Sequence, residues 1–343
     1  MFEMTAEKTV DRKISVPDAP RIPGLSFRGF RGPQDYPLMV AVIAGSKDAD
    51  GIEWTLSPED TARNYEHLVN CDPYQDMLFV ELDDQVIGYS RAWWDKELDG
   101  KRLYTYFTYL LPEWRGRGIR RAMLRWNERR LRQIAAGQPS DVPHLFQAWA
   151  SDKEIHWSTL LEEAGYQAVR YGFEMIRPDL ENIPEMPLPA GLQVRPVQPE
   201  HYWTIWYAAK EAFLDHWGYA EGEWADTNFE NWQKSPTFQP ELWQVAWAGD
   251  QVVGMVQNFI HHEENQEYER LRGYTEGICV RKAWRRQGLA KALIARSFKV
   301  LKAQGMTHAA LGVDAENPNG ALQLYKSMGF REVKRHVTYR KPL

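Results

Sequence analysis

Cysteine is nearly absent from this chain: Cys71 and Cys279 are the only two, which excludes a disulfide framework. Long hydrophobic runs are missing as well. Stretches such as PLMVAVIAG end far short of the roughly 20 residues that a membrane-crossing helix needs. Positive charge is not in excess, since 42 Lys and Arg stand against 47 Asp and Glu for a net charge of −5. Affinity for a phosphate backbone rests on summed positive charge, so no nucleic-acid partner is expected. The opening MFEMTAEKTVDRK contains acids and lacks the apolar core of a secretory signal. No G-x-G-x-x-G, GKS, GKT, H-E-x-x-H or clustered cysteine pattern occurs. That removes the dinucleotide turn and the P-loop, and leaves no expected metal site. The expectation is a cytoplasmic protein with no membrane partner.

What the chain does have is repetition. Its 343 residues suit two domains better than one. MLFVELDDQVIGYSRAWW around residue 80 is answered by LWQVAWAGDQVVGMVQNFI around residue 245, each an alternating strand, a tight turn and a second strand. LYTYFTYLLPEWRGRGIRRAMLRW is answered by YTEGICVRKAWRRQGLAKALIARS, and LLEEAGY by QLYKSMGF, in the same order. Ordered anchors describe a duplication. RPDLENIPEMPLPAG carries four prolines and no period, so it reads as a stiff connection. The predicted division is a loosely held leader at 1–23, a first domain at 24–178, a linker at 179–189 and a second domain at 190–343. In the second domain, strands are expected at 192–197, 241–247, 252–260, 274–280, 308–314 and 333–339. Helices are expected at 201–217, 286–304 and from Pro318 to Gly329, with Gly305 closing the second.

The most informative segment is the strand YTEGICV followed by RKAWRRQGLAKAL. A strand that ends in a Gly-containing turn and opens directly into a helix leaves unpaired N–H groups and a helix dipole, both of which favour an anion. Gly288 permits close approach of a diphosphate, and Ala290 keeps the next turn open. Arg285 and Arg286 carry guanidinium groups that suit phosphate oxygens. An ordinary basic helix start would look similar.

The loop RRQGLA together with NPNGALQLYKSMGF (317–330) resembles the GNAT superfamily of acetyl-CoA-dependent N-acetyltransferases. The tandem layout is similar to the mycothiol synthase-like two-domain group. The resemblance implies an α/β fold (α+β in some schemes): two tandem GNAT-like domains, each a mixed, mostly antiparallel sheet flanked by helices. It implies acetyl-CoA as cosubstrate in a cleft where the sheet splays. Backbone contacts would come from Ile278, Cys279 and Val280, and the diphosphate would meet Arg285 and the amides of Arg286, Gln287, Gly288, Leu289, Ala290 and Lys291. Asn317 would meet the pantetheine. Tyr325 matches the position of the acid that protonates the leaving thiolate. Glu276 would be the base or would orient the substrate cation; a solvent-facing strand residue is the plainer reading. A backbone amide near Cys279 or Val280 would serve the oxyanion, and the Cys279 side chain reads as core packing. His216 either lines the acceptor cleft or packs as a core histidine, and the aromatic residues at 202–232 suggest a wall, with Asp215, Glu221, Glu223 and Asp226 able to attract a cation.

The first copy departs where chemistry is done. Arg120 stands at the place of Ala290, Leu161 opposite Tyr325, Lys153 opposite Asn317 and Tyr106 opposite Glu276. It reads as a degenerate scaffold. The implied function is N-acetyl transfer to a small primary amine by direct reaction in a ternary complex. A non-catalytic CoA-sensing or protein-interaction module with the same fold is the alternative.

Overall fold

The turn at Asp83 and Asp84 has both residues in the left-handed region, at φ 47° and 65°, the conformation that matches the twist of a two-residue hairpin. It joins the second and third strands of the first unit in a computed structural model that describes residues 12–139, 141–219 and 224–343. Met1–Val169 with Thr338–Leu343 form one unit, and Arg170–Val337 form the other.

In the first unit Leu25–Arg28 (β1), Met77–Leu82 (β2), Gln85–Lys96 (β3), Arg102–Leu110 (β4) and His144–Ser151 (β5) lie side by side in chain order. All neighbours are antiparallel except β4 and β5, which are parallel. Helices Tyr36–Asp50 (α1), Pro58–Glu66 (α2), Pro73–Asp76 (α3), Ile119–Ala135 (α4) and Ile155–Glu163 (α5) complete it. Alternation along the strands sends Phe79 and Tyr89 toward α1 residues Met39, Val42 and Ile43, and Leu78 and Val80 toward α4 residues Ile119 and Met123. Residues 12–23, expected as a loose leader, instead pack here. The Ile14 N–H donates to the Phe27 carbonyl at 2.8 Å, and Val16 is buried against Leu78 and Ile119.

Gln167–Arg177 (β6) crosses from the first unit into the second at Arg170. The second unit continues with Gln193–Arg195 (β7), Tyr202–Phe213 (α6), Phe229–Gln233 (α7), Gln244–Ala248 (β8), Gln251–Ile260 (β9), His262–Glu267 (α8), Arg272–Val280 (β10), Leu289–Ala303 (α9), His308–Asp314 (β11), Ala321–Ser327 (α10) and Arg331–Pro342 (β12). Its strand order is β6-β11-β10-β9-β8-β7, with β10 and β11 the parallel pair. On β9, Val252 and Met255 face Ile205 and Ala209 of α6, whereas Val253 and Val256 face Leu289, Leu293 and Phe298 of α9. Helices therefore cover both faces of a mostly antiparallel sheet, as expected. The Pro-rich stretch 178–189 has no regular structure, yet Leu180 is buried and Ile183, Met186 and Leu188 pack on this unit's core. Among the described residues no helix is long and apolar enough to cross a membrane.

Candidate active site

Strands β10 and β11 start together and then part. They pair only from Arg272–His308 to Tyr274–Ala310, although β10 runs on to Val280 and β11 to Asp314. At the point of parting the Thr275 hydroxyl donates to the Ala310 carbonyl at 3.2 Å. The other edge of β10 stays on β9, with a register shift between Glu276 and Cys279. Gly277 makes this bulge possible: its φ is 56°, and a Cβ there would fall 2.6 Å from the Gln257 Oε1. Beyond the bulge, Arg281 N–H reaches the Val253 carbonyl at 2.9 Å. Alternation then turns Cys279 toward β9 and leaves the Val280 N–H facing the fork. Of the two amides expected near Cys279 or Val280, the Val280 N–H is the one on the fork side.

The loop before α9 behaves as its sequence suggests, with one exception. The N–H groups of residues 286–291 find no hydrogen-bond partner among the described residues, and the first helical bond runs from Ala292 to the Gly288 carbonyl at 3.1 Å. Arg286 and Gly288 both adopt positive φ, 64° and 84°, which turns successive amides toward one side. Apart from its own chain neighbours, no atom of the described residues lies within 4 Å of where a Gly288 side chain would begin. The exception is Arg285. Its guanidinium donates to the carbonyls of Val280 at 2.9 Å and Ala212 at 3.1 Å, to Asn319 at 3.2 Å and to the Asp215 carboxylate. Arg285 is a staple for the loop rather than a free phosphate ligand, and Asp215 is its counter-ion rather than a lure for a cation.

A cavity of about 500 Å³ occupies the fork. Ile278, Cys279, Val280, Arg285, Arg286, Gly288, Leu289, Ala290 and Lys291 line it from one side, Asn317 and Tyr325 from the other, and His216 from α6's end. Gln287 is exposed, with its amide on the Ala283 carbonyl at 3.3 Å, and is not among the lining residues. Asn317 Oδ1 accepts the Asn319 N–H at 2.9 Å and so shapes the turn into α10. Asn319, which sequence reasoning passed over, ties that turn to Arg285; its place in NPNG was the available signal. Tyr325 is 7% exposed, and burial, with Glu276 and Cys279 adding, holds its hydroxyl proton well above the ordinary range. Glu276 accepts the Gly312 N–H from β11 at 2.8 Å. Burial pushes its carboxyl up to about 7, against the opposing effect of that N–H and with help from Glu174. The Cys279 thiol is buried and raised to about 12, which suits core packing. His216 stands edge-on to Phe213 at 4.5 Å, and burial lowers its affinity for a proton.

Much of the aromatic wall expected at 202–232 is core instead, though Trp203, Tyr207 and Trp217 are exposed. Trp206 packs against Trp224, Trp232 and Phe229, and Trp232 against Trp243, beneath α6. Asp226 accepts from the Tyr207 hydroxyl at 3.0 Å, while Glu221 and Glu223 lie outside the described residues.

The model of the acetyltransferase (GNAT) family matches residues 45–138 and 204–330, well over half of the chain. The chain belongs to the acetyltransferase (GNAT) family. It is similar to mycothiol acetyltransferase of Streptomyces bingchenggensis, 30% identical over 77% of this chain and 80% of the relative. The mycothiol acetyltransferase of Frankia alni is 28% identical over 89% and 91%. Among solved structures, a GCN5-related N-acetyltransferase from Sphaerobacter thermophilus superposes with a TM-score of 0.69 at 26% identity, covering 93% of this chain and 95% of that one. The protein is thus a tandem GNAT acyltransferase.

The first GNAT copy shows the same fork, closed from within. Its β4 and β5 pair only from Arg102–His144 to Thr105–Gln147. Arg120, at the place of Ala290, turns inward, 2% exposed. It donates from Nε to the Thr108 hydroxyl at 3.0 Å and from Nη2 to the Thr108 carbonyl at 2.7 Å, and lies 4.4 Å over Trp157. The loop amide of Gly116, equivalent to Arg286, is taken by His156 Nε2 at 3.1 Å. Arg115 repeats the Arg285 staple, on the Leu110 carbonyl at 3.0 Å and the Asp50 carboxylate at 2.6 Å. Because β4 has no bulge, the ladder places Phe107, not Tyr106, at the position of Glu276: Arg91 pairs with Phe107 as Gln257 pairs with Glu276. Leu161 does occupy the place of Tyr325. Its carbonyl takes the Tyr166 N–H at 3.0 Å, as that of Tyr325 takes the Phe330 N–H at 3.1 Å.

Proposed function

We propose that the second unit transfers the acetyl group of acetyl-CoA to the primary amine of a small molecule, directly within a ternary complex. The observation that carries this reading is the meeting, at one cavity, of unpaired loop amides, an open strand edge and Tyr325; Glu276 does not line the cavity but lies close enough to act on the Tyr325 hydroxyl. The residues fit the cosubstrate. Amides 286–291 at the start of α9 would hold its diphosphate, with the helix dipole in support. The free edge of β10 at Ile278 would pair with its amide-bearing arm, beside Asn317, which leaves the Val280 N–H for the acetyl group.

When bound, acetyl-CoA supplies an activated acetyl thioester. Glu276 accepts the proton of the incoming ammonium, a role suited to a carboxyl that titrates near neutrality. The Val280 N–H faces the fork and stabilises negative charge on the carbonyl oxygen. Tyr325 keeps its proton at neutral pH and gives it to the departing sulfur. The name of the curated relatives, mycothiol acetyltransferase, supports a small-molecule acceptor. Thiol release from acetyl-CoA across a panel of amines, with product mass, tests this reading. Gly288→Asp adds a negative charge to the loop at a positive-φ position and should weaken CoA binding at least tenfold, about 1.4 kcal/mol. Absence of CoA binding to the wild-type protein, or equal affinity in Gly288→Asp, would reject it.

A further inference from the structure

A second carboxyl stands beside the fork without a place in this chemistry. Glu174 on β6 is the register partner of Gly312 on β11. Directly paired residues of an antiparallel ladder project to the same face. Gly312 projects nothing, and a Cβ there would come 3.7 Å from the Glu276 Oε1. Glu276 and Glu174 therefore flank one glycine on one face of the sheet, with no side chain between them. Glu174 is held in turn from β12, where His336 Nε2 lies 2.6 Å from its Oε1.

Among the described residues, the Arg170–Asp314 ion pair lies one same-face step along β11 from Gly312, and Arg272 stands four residues before Glu276 on β10 and acts on Glu174; the groups nearest Glu276 are uncharged. Gln257 faces it from β9, Gly312 offers an N–H from β11, and Tyr325 on α10 and Cys279 on β10 keep their protons. Glu174 is the charged side chain that acts on it. Burial alone would raise the Glu174 carboxyl, but the His336 hydrogen bond, with Lys334 and Arg272, outweighs burial and keeps it below its ordinary range. Glu174 thus remains ionised where Glu276 takes up a proton. Its own cations make it a poor seat for the acceptor ammonium, and its effect falls on its neighbour.

We propose that Glu174, anchored by His336, is a positioning residue for the Glu276 proton: its charge, acting across the Gly312 gap, favours the protonated form of Glu276. The inference rests on the reading of Glu276 as the base. In that step the ammonium N–H bond breaks and a carboxyl O–H forms, so a carboxylate and a cation become two neutral groups. A neighbouring negative charge favours the neutral carboxyl product.

Carboxyl ¹³C titration of the full-length protein, labelled at glutamate, tests this without any acceptor. Loss of one resonance in Glu276→Gln identifies it. In the wild type that resonance should titrate near neutrality. Glu174→Gln, which removes the charge and keeps the shape, should move its midpoint down by roughly half a pH unit or more. Glu174→Asp restores the charge and should return the midpoint close to the wild-type value. An unmoved midpoint in Glu174→Gln, or equal shifts in the Gln and Asp variants, would overturn the proposal. Undiminished acetyl transfer by Glu276→Gln would overturn the base assignment instead, a result separate from the titration.

Discussion

A carboxyl that leaves water as the chain folds holds its proton longer, and Glu276 is the clearest case in this protein, raised to about 7. Because its folded value lies above its unfolded one, its contribution to stability is fully present below the unfolded value, near 4.5, and is lost as pH rises through 7. Glu276→Gln removes that loss. The variant should therefore gain thermal stability relative to wild type at pH 8 and little at pH 4, by on the order of 2 kcal/mol. Thermal unfolding at both pH values checks the sign, and an equal change at both would show that ionisation is not the cause. Tyr325→Phe keeps the ring packing against Phe330 and removes only the hydroxyl. Turnover should fall by about 10²–10⁴-fold with CoA affinity nearly unchanged. Normal turnover would remove Tyr325 from the proton-transfer role. Both residues were proposed from the sequence, Tyr325 through the family resemblance of NPNGALQLYKSMGF and Glu276 from its place two residues before Ile278 on the cleft strand. The engagement of Arg285 was not legible. Its partner Asp215 lies 70 residues upstream, and nothing local announces which arginine of RR is consumed by the scaffold.

At the scale of elements, a parallel strand pair that parts after three residues makes a groove only if nothing inside fills it. The second unit leaves the groove open with small Ala290 at the helix start, whereas the first plugs it with Arg120 and caps its loop with His156. CoA should therefore bind with a stoichiometry of one. Replacing Arg120 and His156 by Ala frees the Thr108 carbonyl edge and the Gly116 amide, and should either create a second, weaker site or leave one site in a less stable protein. Calorimetric titration counts the sites, and two sites in the wild type would refute the plug. Strand and helix order came through in the periodicity of the chain, since alternation and the 3.6-residue repeat are local properties. The extra residue in β10 did not, because YTEGICV alternates acceptably in either register. The register decides whether Phe107 or Tyr106 answers Glu276. Only the ladder with β9, set by residues such as Gln257, fixes it.

For the molecule as a whole, the boundary suggested by the prolines is not where the second unit begins. A cut at residue 190 would leave 190–343 without β6, whose residues 172–177 pair with the whole of Ala309–Asp314. It would also remove Arg177, which donates to the carbonyls of Met328 at 2.5 Å, Asp179 at 2.9 Å and Asn182 at 2.8 Å, and so holds the turn that carries Tyr325. Arg170, paired with Asp314 at 2.8 Å and Glu316 at 3.0 Å, would go too. With β6 absent, β11 becomes an exposed edge strand, and its unpaired groups invite aggregation. A fragment of residues 190–343 should therefore unfold at lower temperature and bind CoA weakly, while a fragment of 170–343 should recover most of both. The first unit has the reciprocal requirement. Arg340 donates to buried Glu97 at 2.6 Å and to Gln147 at 2.9 Å, and Lys341 to Glu128 at 2.9 Å, all from the last strand of the chain. Deleting residues 338–343 leaves Glu97 buried without its cation, a loss of about 3–5 kcal/mol. Comparing the two fragments and the truncated chain by thermal unfolding and CoA titration separates the effects. If residues 190–343 alone matched the full-length protein in both measurements, β6 would be dispensable and the proline-marked boundary would be the physical one.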